Sequence, residues 1–295
     1  MTPPYPSVKS QTAESANPAH RGPTLQGYQQ FYFHHQGIGH IVYHQGASAH
    51  PPLLLMSELA GFAPGLLMFA ERLVQHGYQV YLPWMFGPFA KRAPLRNAIH
   101  LCISREFAYL KAGVSAPVTT WLRALSAHIS HQNQNRSIGA IGMCLTGAFA
   151  IPLIIEPHVA AAVAAQPAAP MSLIYRVTGL RTADLQALNI SDADIEAARQ
   201  RLRTGDAHLF ACRFRADRIC PAAKLDRLRQ EFPVNLETHE YANEAWRNAV
   251  GDRPHATFTK EYRIAGDAQS LDHPSRKAFA DLLAFLETHL KKKHC

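Results

Sequence analysis

Gly139-Ala140-Ile141-Gly142-Met143-Cys144-Leu145-Thr146-Gly147 decides how the rest of this chain is read. An apolar run begins after Ser137, stops at a glycine-flanked cysteine and resumes as the apolar stretch 148–155. The pattern is a buried strand, a sharp turn and a helix, with a nucleophile at the tip of the turn. Such a tip residue is held in strained backbone geometry, so its neighbours must lack bulk for strand and helix to close on each other. Thr146 stands where a glycine is expected, with Gly147 one place later. A buried structural cysteine is the plainer alternative for Cys144.

Outward from this turn, short apolar runs alternate with helical patterns. Leu53–Met56, Tyr78–Leu82, Val159–Ala165, His208–Cys212 and Asn235–Tyr241 read as strands. Pro64 opens a helix whose Leu66, Leu67, Phe69, Ala70, Leu73 and Val74 recur at helical spacing, and Gly77 closes it. Further helices are expected over 118–129, 221–231 and from Pro274 through Leu290. Phe31–Phe33 and His40–Tyr43, separated by Gly37-Ile38-Gly39, predict an opening hairpin. Strands apolar on both faces and alternating with helices imply an α/β fold, a doubly wound and mostly parallel sheet flanked by helices. Residues 1–26, rich in Pro, Ser, Gln and Ala, are expected to form a flexible arm before a single domain over 27–295. The stretch 171–206 carries little strand signal and predicts an insertion or lid, with Ser191 and Asp194 capping a helix through Arg203.

The bulk composition narrows the class. At 295 residues and 47% hydrophobic content, the chain can bury one large core. Five scattered cysteines, without metal-type spacing, argue against a disulfide framework and suit a reducing cytoplasm. No membrane span and no secretory signal are expected. The formal charge of +8 would suit an anionic small molecule. The arginines between Arg199 and Arg229 alternate with Asp206, Asp217 and Asp226, the pattern of a solvated face, so no nucleic-acid partner is expected. His34, His35, His40 and His44 flank the hairpin turn, but 17 histidines in the chain make coincidence the safer view. No metal and no cofactor are expected.

A thiol nucleophile needs a base, and the base needs a carboxylate to hold its tautomer. In doubly wound hydrolases these arrive in the order nucleophile, acid, base, each past a late strand. Asp217, after the strand 208–212, occupies the acid position, with a helix cap as its plainer role. His255, in Arg253-Pro-His-Ala-Thr257, is favoured as base over His273, which adjoins Pro274 at a helix entry, and over His239, inside a strand. Glu58, at the end of the early strand in Met56-Ser-Glu-Leu-Ala-Gly61, would lie close to the nucleophile, unless it is simply solvated.

Several of these pieces together resemble the dienelactone hydrolase family of the α/β-hydrolase fold, over nearly all of residues 38–290. They are Met56-Ser-Glu58-Leu-Ala-Gly61, Arg72-Leu with Gly77-Tyr78-Gln-Val80 and Pro83, and Gly142-Met-Cys144-Leu-Thr-Gly147. The Asp217 segment before Pro221, His255 with Phe258, and Ala284-Phe285-Leu286 also match, while Cys102–Phe107 and Trp121–Leu125 resemble one branch. The resemblance implies a Cys144–His255–Asp217 triad that hydrolyses a small ester or lactone through an acyl-enzyme. It puts the backbone amides of Leu59 and Leu145 in the oxyanion hole and Glu58 beside the thiol. A carboxylate there disfavours thiolate, so the resting cysteine stays protonated until substrate changes the local charge. Arg105 is a candidate for holding a substrate carboxylate, with an ion pair to Glu106 or Glu58 as the alternative. A monomer or homodimer is expected. The competing readings are a binding or regulatory protein on the same fold and a thiol redox protein.

Overall fold

In the computed structural model, residues 21–94, 96–97, 107, 116–168, 186–242, 254–264 and 273–291 are described. Gln29–His35 (β1) and Ile38–Gln45 (β2) pair antiparallel, with His35 opposite Ile38. The turn is therefore the dipeptide Gln36-Gly37, both at positive φ (49° and 82°), and Ile38 and Gly39 belong to β2 rather than to the connection. Two left-handed residues match the right-handed twist of the flanking strands, which is why a glycine sits there.

Pro52–Leu55 (β3), Gln79–Pro83 (β4), Ile138–Met143 (β5), Val159–Ala165 (β6), His208–Phe214 (β7) and Leu236–Tyr241 (β8) complete one eight-stranded sheet in the order β1-β2-β4-β3-β5-β6-β7-β8. The β1–β2 and β2–β4 pairs are antiparallel, and every other pair is parallel. This is the α/β-hydrolase arrangement, with helices on both faces. On one face Pro64–Gln75 (α1) buries Leu66, Phe69, Ala70 and Leu73 against Leu53, Leu55, Ile141 and Met143. On the other, Pro117–Gln132 (α2) buries Val118, Trp121, Leu122, Leu125 and Ile129 against Leu54, Met56 and Ala140. Alternate residues of β3 thus feed two different cores, and each large apolar side chain so enclosed stabilises by about 1.5–3 kcal/mol.

Gly147–Leu153 (α3) follows β5, and Asp192–Arg203 (α4) links β6 to β7. The Ser191 hydroxyl caps α4 by accepting from the Asp194 amide at 3.1 Å. Ile195, Ala198 and Leu202 of α4 pack with Leu209 and Ala211 of β7. The helical part of 171–206 is therefore a crossover helix of the helix layer, whereas 171–185 lie outside the described residues. Ala222–Glu231 (α5), Lys260–Ile264 (α6) and Pro274–Leu286 (α7) complete the chain, α7 beside α1. Residues 21–26, grouped with the arm on composition, are tied to the hairpin. Gly22 donates to Gln30 Oε1 at 2.8 Å, and Tyr43 Oη donates to the Pro23 carbonyl at 2.8 Å. Residues 1–20 lie outside the described residues.

Candidate active site

Cys144 stands one residue beyond β5 with φ at +55°, a left-handed conformation that costs a non-glycine residue free energy. The residues around it explain how the turn is held. A Cβ on Gly142 would lie 2.1 Å from the Thr146 carbonyl oxygen, and one on Gly147 would lie 3.0 Å from Pro167 Cα. Thr146 is fully buried, and its hydroxyl accepts from the Met143 amide at 2.9 Å. The same oxygen lies within donating distance of the carbonyls of Met143 (3.1 Å) and Met56 (3.4 Å). The threonine that breaks the expected glycine pattern is thus a peg that ties the Cys144 turn to the end of β3. Only Gly142 and Gly147 carry the steric demand.

Asp217 lies three residues beyond β7, and its carboxylate is enclosed. Oδ1 accepts from the amides of Ile219 (2.8 Å) and Cys220 (3.0 Å), and Oδ2 faces His255 Nδ1 at 2.7 Å. That bond engages Nδ1 and leaves Nε2 as the ring nitrogen not facing Asp217. Nε2 is buried with no well-formed hydrogen bond. Burial alone would lower the His255 pKa, but the Cys144 thiolate and the Asp217 carboxylate together raise it well above 6.5. Cys144 therefore lies close enough to His255 to act on its charge. Burial pushes the thiols of the other two described cysteines, Cys212 and Cys220, up.

His255 is held by elements distant in sequence. Arg72 Nη2 of α1 donates to the Phe258 carbonyl at 2.7 Å, and its guanidinium covers the Tyr262 ring at 3.9 Å. Phe258 stacks on Phe69 at 5.1 Å between centroids. The rival base His273 caps α7 instead, its Nδ1 accepting from the Ser275 amide at 3.2 Å. His239 stacks on Phe210 and Tyr241 along β8. Glu58, partly exposed three residues beyond β3, accepts from Thr259 Oγ1 at 2.8 Å. Burial raises its pKa, and this hydrogen bond, followed by the charges of His255, Arg92 and Lys260, partly offsets the rise. Leu59 and Leu145 lie just past β3 and β5, which pair in register with Leu55 opposite Ile141. The two candidate amides therefore come from neighbouring strand ends. Arg105 lies outside the described residues.

Sequence reasoning missed Thr146 as a peg, Thr259 as the Glu58 partner, and Arg72 as the support of the Phe258 carbonyl. Thr146 left a signal as an exception to the motif, and Arg72 one as part of the family resemblance. Among the described residues no group of three or more His, Cys, Asp and Glu side chains could hold a metal ion. His40 meets the edge of Trp121 at 5.0 Å, and His44 stacks on Tyr81 at 5.2 Å. No helix among the described residues is long and apolar enough to cross a membrane.

The strand ends that carry Cys144, Asp217 and Glu58 lie within a recognisable sequence family. The family model described as "Dienelactone hydrolase family" matches residues 39–245, more than two thirds of the chain. Among proteins of curated function, none matches the chain in sequence. Solved structures share the fold at low identity. A Klebsiella pneumoniae protein provisionally described as a dienelactone hydrolase is 15% identical, covering 88% of this chain and 97% of its own at a TM-score of 0.58. A dienelactone hydrolase-like promiscuous phosphotriesterase from metagenomic libraries is 16% identical, covering 87% and 97% at 0.55. A carboxylesterase of the thaumarchaeon Nitrososphaera gargenis is 13% identical, covering 88% and 99% at 0.54. With its fold and the extent of the family match taken together, the chain belongs to the dienelactone hydrolase family of carboxylic-ester hydrolases.

Proposed function

We propose that the chain hydrolyses a small carboxylic ester or lactone through a thioester on Cys144, with His255 as acid and base and Asp217 as its orienter. The observation that carries this reading is the Asp217–His255 bond of 2.7 Å, on a buried imidazole whose charged form Cys144 and Asp217 both favour. The Cys144 thiolate adds to the substrate carbonyl carbon, and the oxyanion is received by the amides of Leu59 and Leu145. As the intermediate collapses, imidazolium Nε2 gives its proton to the departing alkoxide, leaving a thioester and a neutral imidazole. Water then adds to the thioester carbonyl and passes a proton to Nε2. Collapse of this second intermediate releases the carboxylic acid and restores thiolate and imidazolium.

Glu58 modulates the pair. In its protonated form, which burial favours, it leaves the thiolate unopposed, and in its ionised form it disfavours it. The basic chain suits an anionic ester, and five scattered cysteines without metal-type spacing suit a reducing compartment, the cytoplasm. A short activated aryl ester tests the reading. The wild type is expected to turn it over many times, and Cys144→Ala, with an unchanged melting curve, to lose at least about 10³-fold in kcat/KM. Retained turnover in that variant would sink the cysteine mechanism.

A further inference from the structure

After His208, β7 reads Leu209-Phe210-Ala211-Cys212-Arg213-Phe214, an apolar run with one arginine near its end. The Arg213 side chain is 4% exposed, beside Phe214 at 0%. A buried guanidinium carries a desolvation cost of several kcal/mol, and a well-packed apolar residue at such a position is often neutral or stabilising. Stability alone therefore gives no reason for an arginine here.

Its contacts supply one. Nε donates to the Cys220 carbonyl at 2.7 Å. Nη2 donates to the carbonyls of Arg215 (3.1 Å) and Asp217 (3.0 Å). Nη1 pairs with Glu240 Oε2 at 2.5 Å, across from it in the β7–β8 register. One planar group thus takes the beginning, middle and end of the loop 215–220, the loop that presents the acid. The Asp217 carboxylate accepts from the Ile219 and Cys220 amides of that same loop. Moving the loop moves Oδ2 relative to His255 Nδ1. Lysine, a point charge without the fork, cannot hold three carbonyls in fixed directions.

We infer that Arg213 is the positioning residue of the triad, fixing the loop that carries Asp217 and, through it, the orientation of His255 toward Cys144. The inference rests on the triad assignment above. Arg213 touches no substrate and acts through Asp217.

The test uses the full chain as wild type, Arg213→Lys, Asp217→Asn and the double variant. Two readouts are taken from about pH 5 to 9: steady-state hydrolysis of 4-nitrophenyl acetate, and the rate of Cys144 alkylation by iodoacetamide, followed by mass. Arg213→Lys is expected to lower kcat by about 10- to 100-fold. KM should stay within about twofold, because no substrate contact is lost. The pH midpoint of alkylation should move upward as the imidazolium loosens. In the Asp217→Asn background the lysine should add no further loss, since both changes disable one unit. Wild-type kcat and an unmoved alkylation profile in a folded Arg213→Lys would overturn the proposal, and so would losses that multiply in the double variant. If the wild type itself hydrolyses no ester, the functional reading fails, and the alkylation profiles still decide the role of Arg213. Should Arg213→Lys not fold, Glu240→Gln releases one anchor of the guanidinium while sparing the carbonyl bonds. A smaller upward shift of the alkylation midpoint is then expected, and none would count against the proposal.

Discussion

Thr146 fills with chemistry a place where pattern expects an empty Cβ position. Its hydroxyl satisfies the buried Met143 amide, so restoring the motif glycine should harm the protein rather than help it. Thr146→Gly strands that amide and adds unfolded-state entropy, a loss of about 2 kcal/mol or more in urea unfolding, whereas Thr146→Ser should stay within about 1 kcal/mol. Equal stability of the glycine variant and the wild type would refute the peg. At the same scale, His255 links folding to pH. Its folded pKa is raised, so the Asp217 contact stabilises fully below the ordinary imidazole value of about 6.5 and is lost as pH rises through the folded value. The gap in unfolding free energy between wild type and Asp217→Asn should be widest below about pH 6.5 and narrow toward alkaline pH. A gap that widens with pH would have the wrong sign for this pair.

At the scale of elements, the strand and helix layers were legible because their signals are local. Val159–Ala165 is apolar at every position and is β6 with those bounds, buried throughout. Pro64 and Pro274 mark the first turns of α1 and α7, as proline at a helix start should. The hairpin turn was misplaced by a residue or two because Gly37 and Gly39 look alike in sequence. Of the two, only Gly37 takes positive φ, whereas at Gly39 a Cβ would require the Tyr32 side chain to shift. The base loop was legible only in part. His255 could be placed by its position after the last strand, but its support by Arg72 spans 186 residues and leaves no local pattern. Arg72→Met removes the bond to Phe258 and the cover over Tyr262. It should lower kcat by about tenfold while the protein still melts cooperatively, because the imidazole loses its fixed bearing. Unchanged kcat would show that the loop holds itself.

At the scale of the whole molecule, the site lies where the carboxyl ends of β3, β5 and β7 converge, so three distant segments meet on one rigid edge. Chain order and sheet order together bring Glu58, Cys144, Asp217 and His255 to that edge, and their order in sequence was enough to nominate them. What sequence could not carry were the polar side chains whose partners appear only once the sheet has formed, Arg213 against Glu240 and Thr259 against Glu58. The charge of +8 acts at this scale as well. An anionic aryl ester should lose several-fold in kcat/KM between about 0.05 and 0.5 M salt, while a neutral isostere stays constant. Identical salt profiles would remove charge steering from the account. The central claim is a covalent one, and mass analysis of protein quenched during turnover of a short activated aryl ester tests it most directly. An added acyl mass is expected on the peptide containing Cys144 and is absent from Cys144→Ala. Turnover without that adduct, or an adduct on another residue, would contradict it.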